Sequence, residues 1–383
     1  MKHNWEYKRL GDICDVIGGS TPKTEISEFW NGSLNWFTPA EISDKKYYAS
    51  SERKITEEAV KATGLTLMPP GTVLLTSRAP IGKVGIATGC CYCNQGFKNL
   101  VCKNNLFNEY LYYTLIYFND EIKDKGRGAT FKEISKKATE SISIPVPPME
   151  VQERIVAELD KINETIEDCR ELLRNLDALA QSLFFDFFGD PITNPKKWQI
   201  KKIKEIGKVI TGSTPSTKVE DYYSSHDICF VKPGDIDNSI SYISDTKDYI
   251  SNFAFDSCCR KLPMGTVVVT CIGIIGKVGV LKVEANCNQQ INAVIPFDAI
   301  NNIYLAYILK EYAPLFTDAA TGPVVKILNK SSFSEFSIPV PPLEIQEKFA
   351  ERIERIEAQK KIVENTIAEL QTLLASRMDY WFN

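Results

Sequence analysis

The chain is one unit written twice, and no other feature constrains its fold as strongly. Gly19-Ser20-Thr21-Pro22 recurs 193 positions later as Gly212-Ser213-Thr214-Pro215, and from there the offset is 194. At that offset Pro69-Pro70-Gly71-Thr72-Val73 matches Pro263-Met264-Gly265-Thr266-Val267, and Ile81-Gly82-Lys83-Val84-Gly85 recurs whole as Ile275-Gly276-Lys277-Val278-Gly279. Cys93-Asn94-Gln95 returns as Cys287-Asn288-Gln289, and Ser143-Ile144-Pro145-Val146-Pro147-Pro148 as Ser337-Ile338-Pro339-Val340-Pro341-Pro342. A copy this long exceeds the solenoid repeats, so each is a domain with an appendage. The expected boundaries are 1–148 and 191–342 for the domains, 149–190 and 343–383 for the appendages.

The domain part mixes short β-branched runs with Gly and Pro punctuation. Thr72–Thr76 and Thr266–Thr270 read as buried strands, and Gly82 and Gly85 flank a tight turn between strands. Residues 108–118 and 301–312 read as short helices. The expected class is α+β.

The appendages are different. Apolar residues spaced by four and three run through Ile155, Leu159, Ile162, Ile166, Cys169, Leu173, Leu176, Ala180, Leu183 and Phe187. Shifted by 194, the second run is Phe349, Ile353, Ile356, Lys360, Val363, Ile367, Leu370, Leu374, Arg377 and Trp381, broken only at Lys360 and Arg377. This is coiled-coil periodicity, and the alternative is an amphipathic helix lying on its own domain. Each helix is expected to span roughly 50–55 Å at 1.5 Å per residue. Gly189-Asp190-Pro191 ends the first one near Phe188, and the second domain begins at once. Parallel pairing would need a chain crossing of roughly 50 Å, so antiparallel pairing is expected. That pairing implies a pseudo-two-fold arrangement with a domain at each end of a rigid spacer and Asn383 returning near the first domain.

Charge follows the same partition. Residues 1–148 hold 19 basic and 16 acidic side chains, net +3, and residues 191–342 hold 16 and 14, net +2. Residues 149–190 carry −7 and residues 343–383 carry −2, so the overall −4 comes from the appendages. Two similar, mildly basic domains held a fixed distance apart suit a long regular ligand. Duplex DNA qualifies, with successive half-sites about 34 Å apart per helical turn. Domains that are similar but not identical would read different short sequences, so the expected target is bipartite and asymmetric with an unread spacer.

The sequence resembles the specificity subunits of type I restriction-modification enzymes over essentially its whole length. The resemblance rests on the doubled Gly-Ser-Thr-Pro, Ile-Gly-Lys-Val-Gly and Asn-Gln, and on the doubled Ile-Pro-Val-Pro-Pro-x-Glu-x-Gln-Glu that opens each long helix. It implies that each domain is a target recognition domain for double-stranded DNA. It also implies that the paired helices act as a ruler, and that the chain docks methyltransferase subunits, which use S-adenosylmethionine, and restriction subunits. The runner-up reading is a two-module protein scaffold that does not bind DNA.

Candidate DNA contacts lie in the doubled motifs and beside them. Lys83 and Lys277 sit in Gly-flanked turns and can meet phosphate, or be solvated turn lysines. Neither turn is a Walker A loop, because Val follows each Lys. Asn94, Gln95, Asn288 and Gln289 carry amides that can pair with adenine edges; because they recur, internal turn bonding or a backbone contact is favoured. Ser20, Thr21 and Lys23, matched by Ser213, Thr214 and Lys218, offer hydroxyls and a cation, or form a plain turn. Arg127, Thr130 and Lys132, with Lys326 in the second copy, belong to Gly-containing loops suited to DNA approach. Arg78 is a candidate guanine reader, or an ordinary surface arginine, and its counterpart is Ile272.

No catalytic centre, cofactor or metal site of the chain's own is expected. His3 and His226 are the only histidines and are unmatched, there is no Asn-Pro-Pro-aromatic methyltransferase motif, and no Gly-rich loop opens a helix. Cys90, Cys91, Cys93 and Cys102 lack paired Cys-x2-Cys spacing, so the eleven cysteines read as reduced and mostly buried thiols of a cytoplasmic protein. No N-terminal signal segment or membrane-spanning run is visible.

Overall fold

The computed structural model describes residues 5–78, 80–126, 132–322 and 324–383. The chain divides into two compact units, Met1–Cys169 with Thr366–Asn383, and Arg170–Asn365.

The first unit is built on a five-stranded sheet in the order Cys14–Gly18, Lys98–Cys102, Val73–Leu75, Val84–Ala87, Tyr47–Tyr48. Neighbours are antiparallel except the last pair. A three-stranded sheet orders Lys54–Ile55, Trp30–Phe37 and Tyr92–Cys93, and Tyr7–Arg9 pairs with Ser143–Pro145. The central strand is apolar at every position because both its faces are covered. Val73 and Leu75 join the core of Tyr110, Leu111 and Leu115 on helix Asn108–Tyr117, and Leu74 points the other way onto Phe37, Met68 and Phe97.

The second unit repeats the plan. Its five-stranded sheet orders Gly207–Thr211, Ile291–Pro296, Val267–Thr270, Val278–Leu281 and Ser241–Ile243. Its smaller sheet orders Tyr249–Ile250, Ile228–Val231 and Ala285–Cys287. Val267 and Val269 face the core of helix Asn302–Glu311, while Val268 joins Val231 and Cys287. Each doubled Ile-Gly-Lys-Val-Gly closes the hairpin of the two central strands. Gly82 at φ 88° and Gly276 at φ 87° adopt the left-handed backbone that the turn needs. A Cβ on Gly85 would lie 2.5 Å from the Tyr48 ring, and one on Gly279 2.8 Å from Ile243.

The expected long helices are Met149–Phe188 and Leu343–Phe382. Gly189, at φ 76°, ends the first, its N–H donating to the Phe185 carbonyl at 2.7 Å. In the first unit their segments run antiparallel. Arg154 lies over the Trp381 ring, and one turn on, Glu158 takes Arg377 and the Trp381 indole N–H at 3.0 Å. In the second unit they are antiparallel too: Phe187 packs on Phe349, and Asp177 pairs with Lys360 at 2.8 Å. Ile155, Leu159, Ile162, Ile166, Leu176, Ile353 and Ile356 are buried, and Leu173, Val363, Ile367, Leu370 and Leu374 are half-buried. Both polar breaks in the seam are ion-paired. Past Ala180 the deepest positions are Phe184 and Phe188, in place of the expected Leu183 and Phe187. A straight helix drifts about 20° per heptad from a 3.5-residue repeat, which carries the stripe round by one residue there.

Buried amides start both helices. Gln152 accepts from the Phe107 N–H at 2.8 Å and donates to the carbonyls of Asn105 and Pro147 at 3.0 and 2.8 Å. Gln346 does the same with Asn301, Ala299 and Pro341. The Tyr110 and Tyr304 hydroxyls pin the preceding Pro145 and Pro339 carbonyls. Among the described residues no helix is long and apolar enough to cross a membrane.

Candidate nucleic-acid interface

In the first unit four separate segments, at residues 19–21, 77, 93–96 and 134, close on one another. Ser20 N–H donates to the Cys93 carbonyl at 2.9 Å and Thr21 Oγ1 donates to Gln95 Oε1, joining the doubled Gly-Ser-Thr-Pro to the doubled Cys-Asn-Gln. A Cβ on Gly19 would lie 2.1 Å from the Asn94 carbonyl oxygen, so only glycine permits this approach. Asn94 Oδ1 accepts from Gly96 N–H at 2.8 Å. Ser77 N–H then donates to the Gly96 carbonyl at 2.7 Å, and the Ile134 N–H to the Ser77 carbonyl at 2.9 Å, which brings in the hairpin turn and the backbone at Ile134.

The second unit closes its loops through the same atoms. Ser213 N–H donates to the Cys287 carbonyl at 2.8 Å, Thr214 Oγ1 to Gln289 Oε1, and Gln290 N–H to Asn288 Oδ1 at 3.0 Å. Cys271 N–H donates to the Gln290 carbonyl at 2.8 Å and Leu328 N–H to the Cys271 carbonyl at 2.9 Å. Gly212 is as confined as Gly19, since a Cβ there would lie 2.1 Å from the Asn288 carbonyl oxygen.

The expected site residues therefore sort into two kinds. The Thr21 and Thr214 hydroxyls are spent on Gln95 and Gln289, and the Asn94 and Asn288 side chains accept from the backbone N–H groups of Gly96 and Gln290. Lys83 and Lys277 are half-buried, and their ammonium groups donate to the Ile42 and Ile236 carbonyls at 2.7 and 2.8 Å, tying each hairpin to a 3-10 turn. Lys23, Lys132, Lys218 and Lys326 are exposed. Arg127 and Thr130 lie outside the described residues. Arg78 is ion-paired: its Nε donates to Glu133 Oε2 at 3.0 Å. Lys98 takes the other Glu133 oxygen at 3.2 Å and Ser77 Oγ at 3.2 Å. Burial opposes ionisation of Glu133, but the bonds from Arg78 and Lys98 outweigh it and hold the carboxyl below its ordinary range.

The three equivalent positions in the second unit carry no charge. Ile272 bridges Ile327 where Arg78 bridges Glu133. Asn292 replaces Lys98, accepting from Thr211 Oγ1 at 2.7 Å and donating to the Leu328 carbonyl at 3.1 Å. Beside this pair Ile274 and Val324 are exposed. Glu133 and Lys98 escaped the reading of the sequence because neither lies in a doubled motif, and Glu133 meets Lys98 and Arg78 across 35 and 55 positions of chain that carry no periodic signal.

The cysteines do not assemble a site. All eleven are free thiols, Cys93 and Cys287 are fully buried, and burial pushes Cys287 up to about 12. Among the described residues no cluster of His, Cys, Asp or Glu is arranged to hold a metal.

A family model described as the type I restriction modification DNA specificity domain matches twice, over residues 2–176 and 195–372. The chain belongs to that family. Each match runs through a domain and most of the long helix after it, the unit that the repeat defines. The specificity subunit of the type I restriction enzyme MjaIX from Methanocaldococcus jannaschii is 32% identical over 379 residues, covering 90% of this chain and 85% of that protein. The fold is also that of two solved structures. A structure of a type I restriction-modification system, described for complex assembly and conformational transition, superposes with a TM-score of 0.63 at 19% identity, covering 98% of this chain and 96% of that one. The specificity subunit from M. genitalium gives 0.59 at 14% identity, covering 99% and 96%.

Proposed function

We propose that the chain is the DNA-reading, non-catalytic subunit of a type I restriction-modification complex, with residues 1–148 and 191–342 each recognising one half of a bipartite target. The observation that carries this is the pair of loop ends. The same motifs build the same scaffold twice, yet at equivalent positions the side chains it presents differ, Arg78 with Glu133 and Lys98 in one, Ile272 with Ile327 and Asn292 in the other. A constant frame with variable groups is what reading two different half-sites requires. Exposed Lys23, Lys132, Lys218 and Lys326 supply phosphate contacts around each frame. Lys83, Lys277 and the doubled amides hold the frame. The long helices, residues 149–190 and 343–383, set the spacer and dock the methyltransferase and restriction subunits.

A base-resolution adenine methylation map of the host genome, with the gene intact and deleted, tests this reading. The expected result is a bipartite asymmetric motif that vanishes on deletion. An unchanged methylome in a host whose methyltransferase subunits are expressed and active would reject it.

A further inference from the structure

We infer that Arg78, braced by Glu133, is the guanine reader of the first unit, and that the second unit has no counterpart to it. The inference rests on the functional reading above. Three features of the geometry carry it. The carboxylate engages Nε, so the two terminal NH2 groups of the guanidinium lie outside that bond and keep the planar fork that matches guanine O6 and N7. The brace is itself fixed, because Lys98, with a side chain only 11% exposed, holds the second Glu133 oxygen and Ser77 Oγ. The Arg78 side chain is 46% exposed, so the fork is oriented and still accessible. A fork whose rotamers are already restricted loses less entropy on binding than a free surface arginine does.

The carboxylate also decides between two kinds of arginine contact. A neighbouring anion weakens the local positive field that draws phosphate, so it counts against a phosphate-binding arginine. A base-reading arginine gains orientation, and Lys98 offsets the added charge. In the second unit the ion cluster is replaced as a set: Ile272, Ile327 and Asn292 stand where Arg78, Glu133 and Lys98 do, and Asn292 bonds to backbone and Thr211 instead. Loss of all three together is what a single functional assembly predicts. Glu133 and Lys98 are positioning residues in it.

The test uses the full chain assembled with its methyltransferase subunits, and duplexes carrying the mapped motif in which each guanine in turn is replaced by 7-deazaguanine, which lacks the N7 acceptor. With the unaltered protein, one position in one half-site should weaken binding at least about fivefold, the lower end of what a bidentate contact discriminates. Arg78→Gln should abolish that sensitivity. Arg78→Lys keeps the charge and a donor that can reach N7 but not the oriented fork, and should weaken the discrimination while retaining the salt slope of binding. Glu133→Gln should reduce discrimination with affinity for the 7-deazaguanine duplex nearly unchanged. The inference is overturned if no guanine is sensitive, or if either Arg78 variant, melting like the parent, keeps full sensitivity. Failure of the unaltered complex to bind the motif at all would instead remove the functional reading beneath it.

Discussion

At the residue scale, the doubled positions are those where the fold leaves a residue no freedom. Gln152 and Gln346 each satisfy three backbone groups in a fully buried setting. Gln152→Ala strands one N–H and two carbonyls, and should cost about 3 kcal/mol of unfolding free energy by chemical denaturation. Glu158 makes a prediction in pH. The hydrogen bond from Arg377 is the leading reason its carboxyl is held below the ordinary range, with help from Trp381 and against burial. A depressed folded-state pKa contributes stability that is present above the ordinary glutamate value of about 4.3 and is lost as pH falls through the folded value. Arg377→Met should therefore reduce stability at neutral pH while narrowing its difference from the parent protein under acid. A difference that persists undiminished at low pH would show that the pair contributes through packing alone.

At the element scale, the two long helices and most of their seam were legible because their information is periodic. Each seam residue repeats at fixed spacing, and burial follows the spacing until the stripe drifts onto Phe184 and Phe188. Leu159→Ala and Ile353→Ala, both at fully buried positions, should each cost about 3 kcal/mol, whereas Leu179→Ala on the open face should cost less than about 0.5 kcal/mol. The loop ends were legible only in part. Doubling reveals what both copies need, which is the frame: Gly19 against Asn94, Thr21 against Gln95, Lys83 on Ile42. It cannot reveal what the copies use differently. Arg78 was legible by its residue type alone, whereas Glu133, Lys98 and Lys46 act through long-range partners that no spacing announces. The Lys46 ammonium joins a loop to the long helix through Asp160 at 2.6 Å and to Glu109 at 2.8 Å, and the residue 194 positions on is Ile240. Gly19→Ala tests the frame directly. Its Cβ has nowhere to go against two backbone carbonyls, so the loop must open, with a loss of about 3 kcal/mol and of motif binding.

At the scale of the whole molecule, the functional reading separates what is read from what measures distance. Replacing residues 1–148 with the equivalent domain of another family member should change one half of the methylated motif and leave the other half and the spacer intact. Inserting one heptad into both long helices should lengthen the spacer with both halves unchanged, measured by the same mapping. The division into compact units carries a further consequence, for how the protein is born. Residues 170–365 form one unbroken stretch, but the first unit is closed by residues 366–383, where Trp381 stacks on Trp5 at 6.1 Å and Phe382 packs on Tyr110 at 5.6 Å. On the ribosome the unit that starts first must finish last. The nascent chain carries an open aromatic core from Trp5 onward until the final helical turns emerge, after the second unit already has all its residues. A chain that stalls after residue 365 would thus hold one finished unit and one exposed core, a natural substrate for chaperones.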